Sequence, residues 1–174
     1  MVIINKKLTT EQFKEYIDNL HIPFWRKIKK LVYHHTSSPT DIWNGSASML
    51  HYWNLYRSRG MKAGPHIFVA PDGIWLFTPI WKKGQHAGPK GNRNSIGIEI
   101  VGKYFDSPPY EEEICYNTAI ATKVLMDRFH LKRENIFNHL YFDSNCFCTP
   151  YINQDWIIKN LDEYGYYDSR NLAE

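Results

Sequence analysis

The sequence predicts a single mixed α/β domain, and three observations carry that reading. The 174 residues fit one domain. Short apolar and β-branched runs alternate with longer stretches of helical pattern. No internal repeat or low-complexity linker divides the chain, and a hydrophobic content of 43% suffices for a sizeable core.

Each element has a local reason. Thr9-Thr10-Glu11-Gln12 reads as a capping box that opens a helix to about Leu20, with Pro23 ending the region. Leu31-Val32-Tyr33-His34-His35 is a short strand, followed by a loop rich in Thr, Ser and Pro. Ser48 is placed to cap a helix carrying Leu50, Trp53, Leu55 and Tyr56, stopped by Gly60. The β-type runs His66–Ala70 and Ile74–Phe77 flank Pro71-Asp72-Gly73 and make a hairpin. Ser95-Ile96-Gly97-Ile98-Glu99-Ile100-Val101 is a further, central strand. Pro108-Pro109 precede Glu111-Glu112-Glu113, an acidic first turn that complements the dipole of a long helix to about Phe129. A closing helix runs from Asp155 to about Tyr164. Residues 1–30 form a helical lead-in and 31–160 the core, within one domain spanning 1–174.

Composition narrows the function. A net charge of +3 is too mild for a nucleic-acid binder, which needs a clustered basic face. The run Arg26-Lys27-Ile28-Lys29-Lys30 reads as a solvated lead-in to the first core strand. Three cysteines, an odd number, argue against a disulfide scaffold and for a reducing compartment. Cys146 and Cys148 are one residue apart, too close for an unstrained bridge, and Cys115 falls within a helix and is expected to be buried. The N-terminus has no signal-peptide pattern, and no apolar run is long enough to span a membrane. Aromatic residues reach 16%, with six Trp and twelve Tyr, more than the core needs, so some are expected to line a groove.

The chemistry lies at the element ends. His34 and His139 are separated by 105 positions, and Cys148 follows His139 by nine. Two imidazoles and a thiol, with a fourth position left for water, are the donor set of a catalytic zinc site, which would make the chain a hydrolase. No compact finger-type motif accompanies them. His34 and His35 end a strand, where α/β sites form, although a buried hydrogen-bonded pair is the plainer alternative. Glu99 interrupts an otherwise apolar strand. Such a carboxyl is costly unless paired or functional, and burial would raise its pKa toward that of a proton shuttle. A salt bridge to a Lys or Arg is the plainer alternative. His86-Ala87-Gly88 precedes that strand, and Phe137-Asn138-His139 leads into Asp143, Cys146, Cys148 and Pro150.

Taken in order, His34-His35-Thr36, Gly64-Pro65-His66-Ile67-Phe68-Val69, His86-Ala87, Ser95-Ile96-Gly97-Ile98-Glu99, His139 and Cys148 resemble the zinc-dependent N-acetylmuramoyl-L-alanine amidases. That group includes bacteriophage endolysins and is related to the peptidoglycan recognition proteins. The resemblance runs from about Leu31 to Pro150, and the stretch from Ala63 to Pro79 looks most like phage and prophage amidases. It implies a central mixed β-sheet flanked by helices and a zinc ion held in a groove on one face. It also implies hydrolysis of the amide between N-acetylmuramic acid and the L-alanine of the stem peptide.

By the same resemblance His34 and His139 match the first two zinc ligands. The family's Cys-Pro-Gly signature is broken here, as Cys146-Phe147-Cys148-Thr149-Pro150-Tyr151. Cys148 is the better third ligand by spacing, with Cys146 possible. Pro65 stands where some phage amidases carry a catalytic Tyr, and Cys146 where many members carry a Lys. Proton transfer therefore falls to Glu99. His66, His86, Asn94 and Trp43 are expected to contact substrate, and Trp53, Trp75 and Tyr104 are further stacking candidates, with core packing favoured for Trp53 and Trp75. Peptidoglycan is the expected partner of a monomer made in the cytoplasm and acting on the wall or periplasm after release. A non-catalytic peptidoglycan-recognition module and a nucleic-acid or regulatory binder are the rival readings.

Overall fold

The computed structural model describes residues 1–146 and 148–165. Six strands form one sheet in the order β1-β4-β3-β5-β2-β6. They are β1 (Lys6–Leu8), β2 (Lys30–His35), β3 (Ile67–Ala70), β4 (Gly73–Leu76), β5 (Ser95–Ile100) and β6 (Ile136–Asn138). Strands β3, β5, β2 and β6 run parallel, while β4 pairs antiparallel with both β3 and β1, so the sheet is mixed as expected. Helices α1 (Thr10–Asp18), α2 (Gly45–Ser58), α3 (Gly88–Asn92), α4 (Glu112–Phe129) and α5 (Gln154–Tyr164) surround it.

Because strand side chains alternate, the two faces of the sheet carry different residues. One face presents Leu31, Tyr33, Ile67, Val69, Ile74, Leu76, Ile96, Ile98 and Ile100, which form the main core with Phe13 and Ile17 of α1, Ile114, Ala121 and Leu125 of α4, and Ile157 and Leu161 of α5. The Tyr33 hydroxyl meets Thr122 Oγ1 at 2.6 Å and the Tyr104 hydroxyl donates to Val101 O, so both polar tips in this core have partners. The other face carries His34, His66, Phe68, Trp75, Phe77 and Glu99. Only its β3–β4 end is closed by apolar packing, where Met49 and Tyr52 of α2 cover Phe68, Trp75 and Phe77. The remainder is left for polar groups.

Most elements fall where the sequence puts them. Thr9 caps α1 through a capping box with Gln12. Helix α2 begins at Gly45, not near Ser48, because Ser48 Oγ accepts from the Asn44 backbone N–H and so caps from inside the first turn. The N-terminal segment is more than a helical lead-in, since β1 continues the sheet beside β4. Arg26 is not solvated: it is buried, with Nη2 donating to Ser95 O at 2.8 Å and Nε to Ile80 O. Cys115 is buried in α4 as expected, and burial pushes its thiol up to about 11. None of the described helices is long and apolar enough to cross a membrane.

The capping box gives a clean test of the local reading. Thr9→Ala removes the side-chain acceptor for Gln12 N–H and is expected to lower stability by about 1 kcal/mol. Denaturant titration checks this, with activity per folded molecule unchanged.

Candidate active site

Strand register builds the site. In the parallel pairing of β2 with β5, His34 lies opposite Glu99, and in the pairing of β3 with β5, Phe68 lies on Glu99's other side. His34 and Glu99 therefore project side by side from the open face. His35 projects to the far side, where its Nδ1 accepts from Tyr104 N–H and its ring meets Phe105 edge-on. Both line the groove, but of the adjacent pair only His34 joins the donors that converge with His139 and Cys148.

His139 and Cys148 arrive from the segment after β6, and Asn138 braces that segment. Its Nδ2 donates to Thr149 O at 2.7 Å and Ile152 O at 2.8 Å, and its Oδ1 accepts from Leu140 N–H. The chain that follows Cys148 is thereby tied to the residue preceding His139. His139 Nδ1 lies 3.1 Å from Cys148 Sγ, and Cys148 Sγ lies 3.8 Å from His34 Nδ1. The ligand atoms of His34, His139 and Cys148 all fall within 4.8 Å of one another. A tetrahedral zinc with Zn–S about 2.3 Å and Zn–N about 2.0 Å keeps sulfur and nitrogen roughly 3.5 Å apart, so the spacing and the N,N,S chemistry fit that ion. Cys146 lines the same groove but is not one of the converging donors.

Burial keeps the two imidazoles in the neutral form that a cation needs. Desolvation, followed by the charge of His139, holds His34 well below the usual imidazole range. Desolvation also lowers His139. It raises the Cys148 thiol, with the Glu99 charge as the next cause, so proton loss there calls for a neighbouring cation. Metal binding to such a set would proceed with loss of the thiol proton.

A chain of imidazoles lies behind His34. Its Nε2 is 3.0 Å from His86 Nδ1, and His86 Nε2 is 3.2 Å from Ser95 Oγ. A His34 tautomer that leaves Nδ1 free toward the sulfur carries its proton on Nε2, and in that form His34 would donate to His86 and His86 to Ser95. His86 lies flat on β5: a Cβ at Gly97 would stand 2.5 Å from its ring. Its own backbone N–H and that of Ala87 donate to Asn92 Oδ1. His66, fully buried, accepts from Gly97 N–H at Nδ1 and donates from Nε2 to Lys82 O, so both nitrogens are consumed. Desolvation lowers it to about 3, and the nearby Arg26 charge adds to the effect.

Among the described residues Glu99 has no ion-pair partner. Its Oε1 accepts from the Tyr56 hydroxyl at 3.4 Å, and its buried Oε2 has no hydrogen-bond partner among them. Desolvation raises the carboxyl from 4.5 to about 8, with the Tyr56 hydrogen bond pulling the other way. The plainer alternative of a salt bridge is therefore not what the structure holds.

The groove in front of these groups has a volume of about 1330 Å³ and is lined by His34, His86, Glu99, His139 and Cys148 among others. The expected substrate contacts divide. His86 lines it. His66 lies beneath the loop at Lys82. Asn94 occupies a left-handed turn before β5, its carbonyl accepting from Lys29 N–H. Trp43 stacks on Phe68 and donates to Asp72, outside the groove. Trp53 donates to Met1 O, Trp75 to Asp72 Oδ1 and Tyr104 to Val101 O, so each polar tip is engaged in the fold. Sequence reasoning missed Tyr56, which α2 aims at Glu99, and Asn138, whose position directly before His139 was its one signal.

Comparison with known proteins agrees with this geometry. Residues 24–155 match the family model described as N-acetylmuramoyl-L-alanine amidase, a span that includes His34, Glu99, His139 and Cys148. No curated protein matches the sequence significantly. The structure is similar to the N-acetylmuramoyl-L-alanine amidase LysC from Clostridium intestinale URNW (TM-score 0.66, 18% identity, 82% of this chain and 91% of that one). It is similar also to Drosophila PGRP-LB (0.61, 16%, 86% and 91%). A mutant endolysin from Bacillus subtilis shares the fold as well (0.55, 24%, 82% and 92%).

Burial of Glu99 predicts a pH signature in metal-free protein. Native Glu99 keeps its proton to about pH 8, whereas in the unfolded chain it ionises near 4.5. Native protein therefore binds more protons across that window, and its stability falls as pH rises through it. Glu99→Gln, which does not titrate, is expected to become more stable than the parent toward pH 8, by a few kcal/mol at most. Thermal unfolding of both proteins at pH 4.5 and 8 checks the sign.

Proposed function

The chain belongs to the N-acetylmuramoyl-L-alanine amidase family, and from that premise we propose that it is a zinc-dependent, endolysin-type hydrolase acting on the bacterial cell wall. As a family member it is a peptidoglycan amidase, cleaving between N-acetylmuramic acid and the L-alanine of the stem. Zinc dependence rests on one observation, the convergence of His34, His139 and Cys148 beside Glu99 in an open groove. The likeness of the stretch from Ala63 to Pro79 to phage and prophage amidases supports an endolysin role.

When bound, zinc supplies a Lewis acid that polarises the scissile carbonyl and makes water acidic near neutral pH. The chain's own residues do the rest. His34 Nδ1, His139 Nδ1 and Cys148 Sγ would hold the ion. His86 accepts the proton on His34 Nε2 and fixes that tautomer and ring orientation, the usual task of a group behind a ligating histidine. Tyr56 holds Oε1 of Glu99, which leaves Oε2 to take a proton from the attacking water and return it to the departing alanine nitrogen. Burial holds Glu99 near the working pH, where it can perform both transfers. A recognition module without turnover has no use for a carboxyl kept partnerless at that position.

Metal-replete protein is expected to carry about one zinc per chain, the stoichiometry of a single catalytic site. Elemental analysis should find greater loss in Cys148→Ser than in Cys146→Ser, and full occupancy in His34→Ala would remove the proposed ligand set.

Digestion of purified peptidoglycan should release alanine amino groups without new reducing sugar ends. Glu99→Gln should bind zinc and fold normally yet slow this release by roughly two to four orders of magnitude. Near-normal turnover in that variant would move proton transfer to another group.

A further inference from the structure

One wall of the groove is strongly cationic. Arg59, Lys62, Lys82 and Lys83 line it, and among the described residues that line the groove Glu99 is the only acidic one. Four positive charges on this wall exceed the net charge of +3 on the whole chain. All four are exposed, and none forms an ion pair among the described residues, whose salt bridges involve other lysines and arginines.

The wall is held in place. Gln85 Oε1 accepts from Lys62 N–H at 2.7 Å and from Ala63 N–H at 3.2 Å, while Gln85 N–H donates to Gly64 O. Lys82 O accepts from His66 Nε2. At Gly84 a Cβ would stand 2.6 Å from the His66 ring and 2.9 Å from Gly64 O, so this loop packs closely against its neighbour. The loop before β3 and the loop after β4 thus form one fixed surface that bears the charges. Topology places it on the β3–β4 side of Glu99, with the His34–His139–Cys148 donors on the β2–β6 side.

The substrate has matching asymmetry. On one side of the scissile amide lies a neutral N-acetyl sugar, and on the other a peptide whose ionised groups include carboxylates. We propose that Arg59, Lys62, Lys82 and Lys83 form a subsite for the stem-peptide carboxylates, so that the enzyme favours stems whose carboxyl groups are free over the same stems carboxamidated. This rests on the amidase reading of the site and extends it to substrate choice. Unpaired cations facing one groove act together on an anionic ligand, and exposed charges of this kind are screened by salt.

The test uses zinc-loaded full-length protein and two soluble N-acetylmuramoyl-peptides, one with free stem carboxyls and one carboxamidated. For the parent protein, carboxamidation is expected to raise KM about tenfold at low salt with kcat little changed, and the ratio should shrink at high salt. In the combined Lys62→Gln, Lys82→Gln, Lys83→Gln variant the KM ratio should fall to near one. Equal KM values for both substrates in the parent, with cleavage intact, would overturn the subsite and leave the amidase reading standing. A ratio that survives the triple substitution would likewise overturn it. Failure to cleave either substrate would overturn the amidase reading, and the subsite with it.

Discussion

The parallel register of β2 on β5 decides which residues this protein has available for chemistry. With His34 opposite Glu99, a possible metal ligand and a buried carboxyl share one face. Side chains alternate along a strand, so a slip of one residue would exchange every inward group for its neighbour. His35 would then replace His34, and Ile98 or Ile100 would replace Glu99. The register is fixed from the opposite face, where Leu31, Tyr33, Ile96, Ile98 and Ile100 are all buried against α1, α4 and α5. Hydrophobic burial on one side of the sheet is thus what holds a polar constellation on the other.

That polar constellation is costly to bury, and the structure offsets the cost group by group. His66 has both nitrogens satisfied, His86 is paired at each end, and Arg26 is capped by carbonyls rather than by a carboxylate. Gly97 is required because His86 lies where any side chain on β5 would stand. Glu99 Oε2 is the exception, buried without a partner. An unsatisfied buried polar atom costs about 1–3 kcal/mol, and this one lies beside the converging His34, His139 and Cys148 donors, the setting in which a strongly shifted carboxyl marks a candidate functional group.

Much of this was legible in the sequence, because the chemical residues contrast with their surroundings. A Glu in Ser95-Ile96-Gly97-Ile98-Glu99-Ile100 and a His at the end of Leu31-Val32-Tyr33 stand out from apolar neighbours, and both reach the site. The hairpin at Pro71-Asp72-Gly73 follows an ordinary turn rule, the helix starting at Thr10 has its capping box, and the helix starting at Glu112 has its acidic first turn. Strands β1 and β6, three residues each, are too short to show a period, and they exist because a neighbouring strand pairs with them. Arg26 looked like part of a solvated basic run because burial of one cation among five residues depends on carbonyls that arrive from Ile80 and Ser95. The aromatic residues misled in the same way. Trp43 is amphipathic and partly exposed, but its indole N–H is committed to Asp72, a tertiary contact that no local pattern announces.

Tyr56 shows how a departure from a family pattern can be absorbed. The resemblance to phage amidases places a Tyr and a Lys where this chain has Pro65 and Cys146, and Pro65 has no proton to give. In this chain the hydroxyl that touches the carboxyl comes instead from α2, whose Met49 and Tyr52 anchor the helix over Phe68, Trp75 and Phe77. The aromatic layer that closes the β3–β4 end of the open face therefore also carries the hydroxyl that meets the buried Glu99 carboxyl. Packing and chemistry meet in one helix, and the position of Glu99 Oε2 depends on the seat of that helix as much as on strand β5.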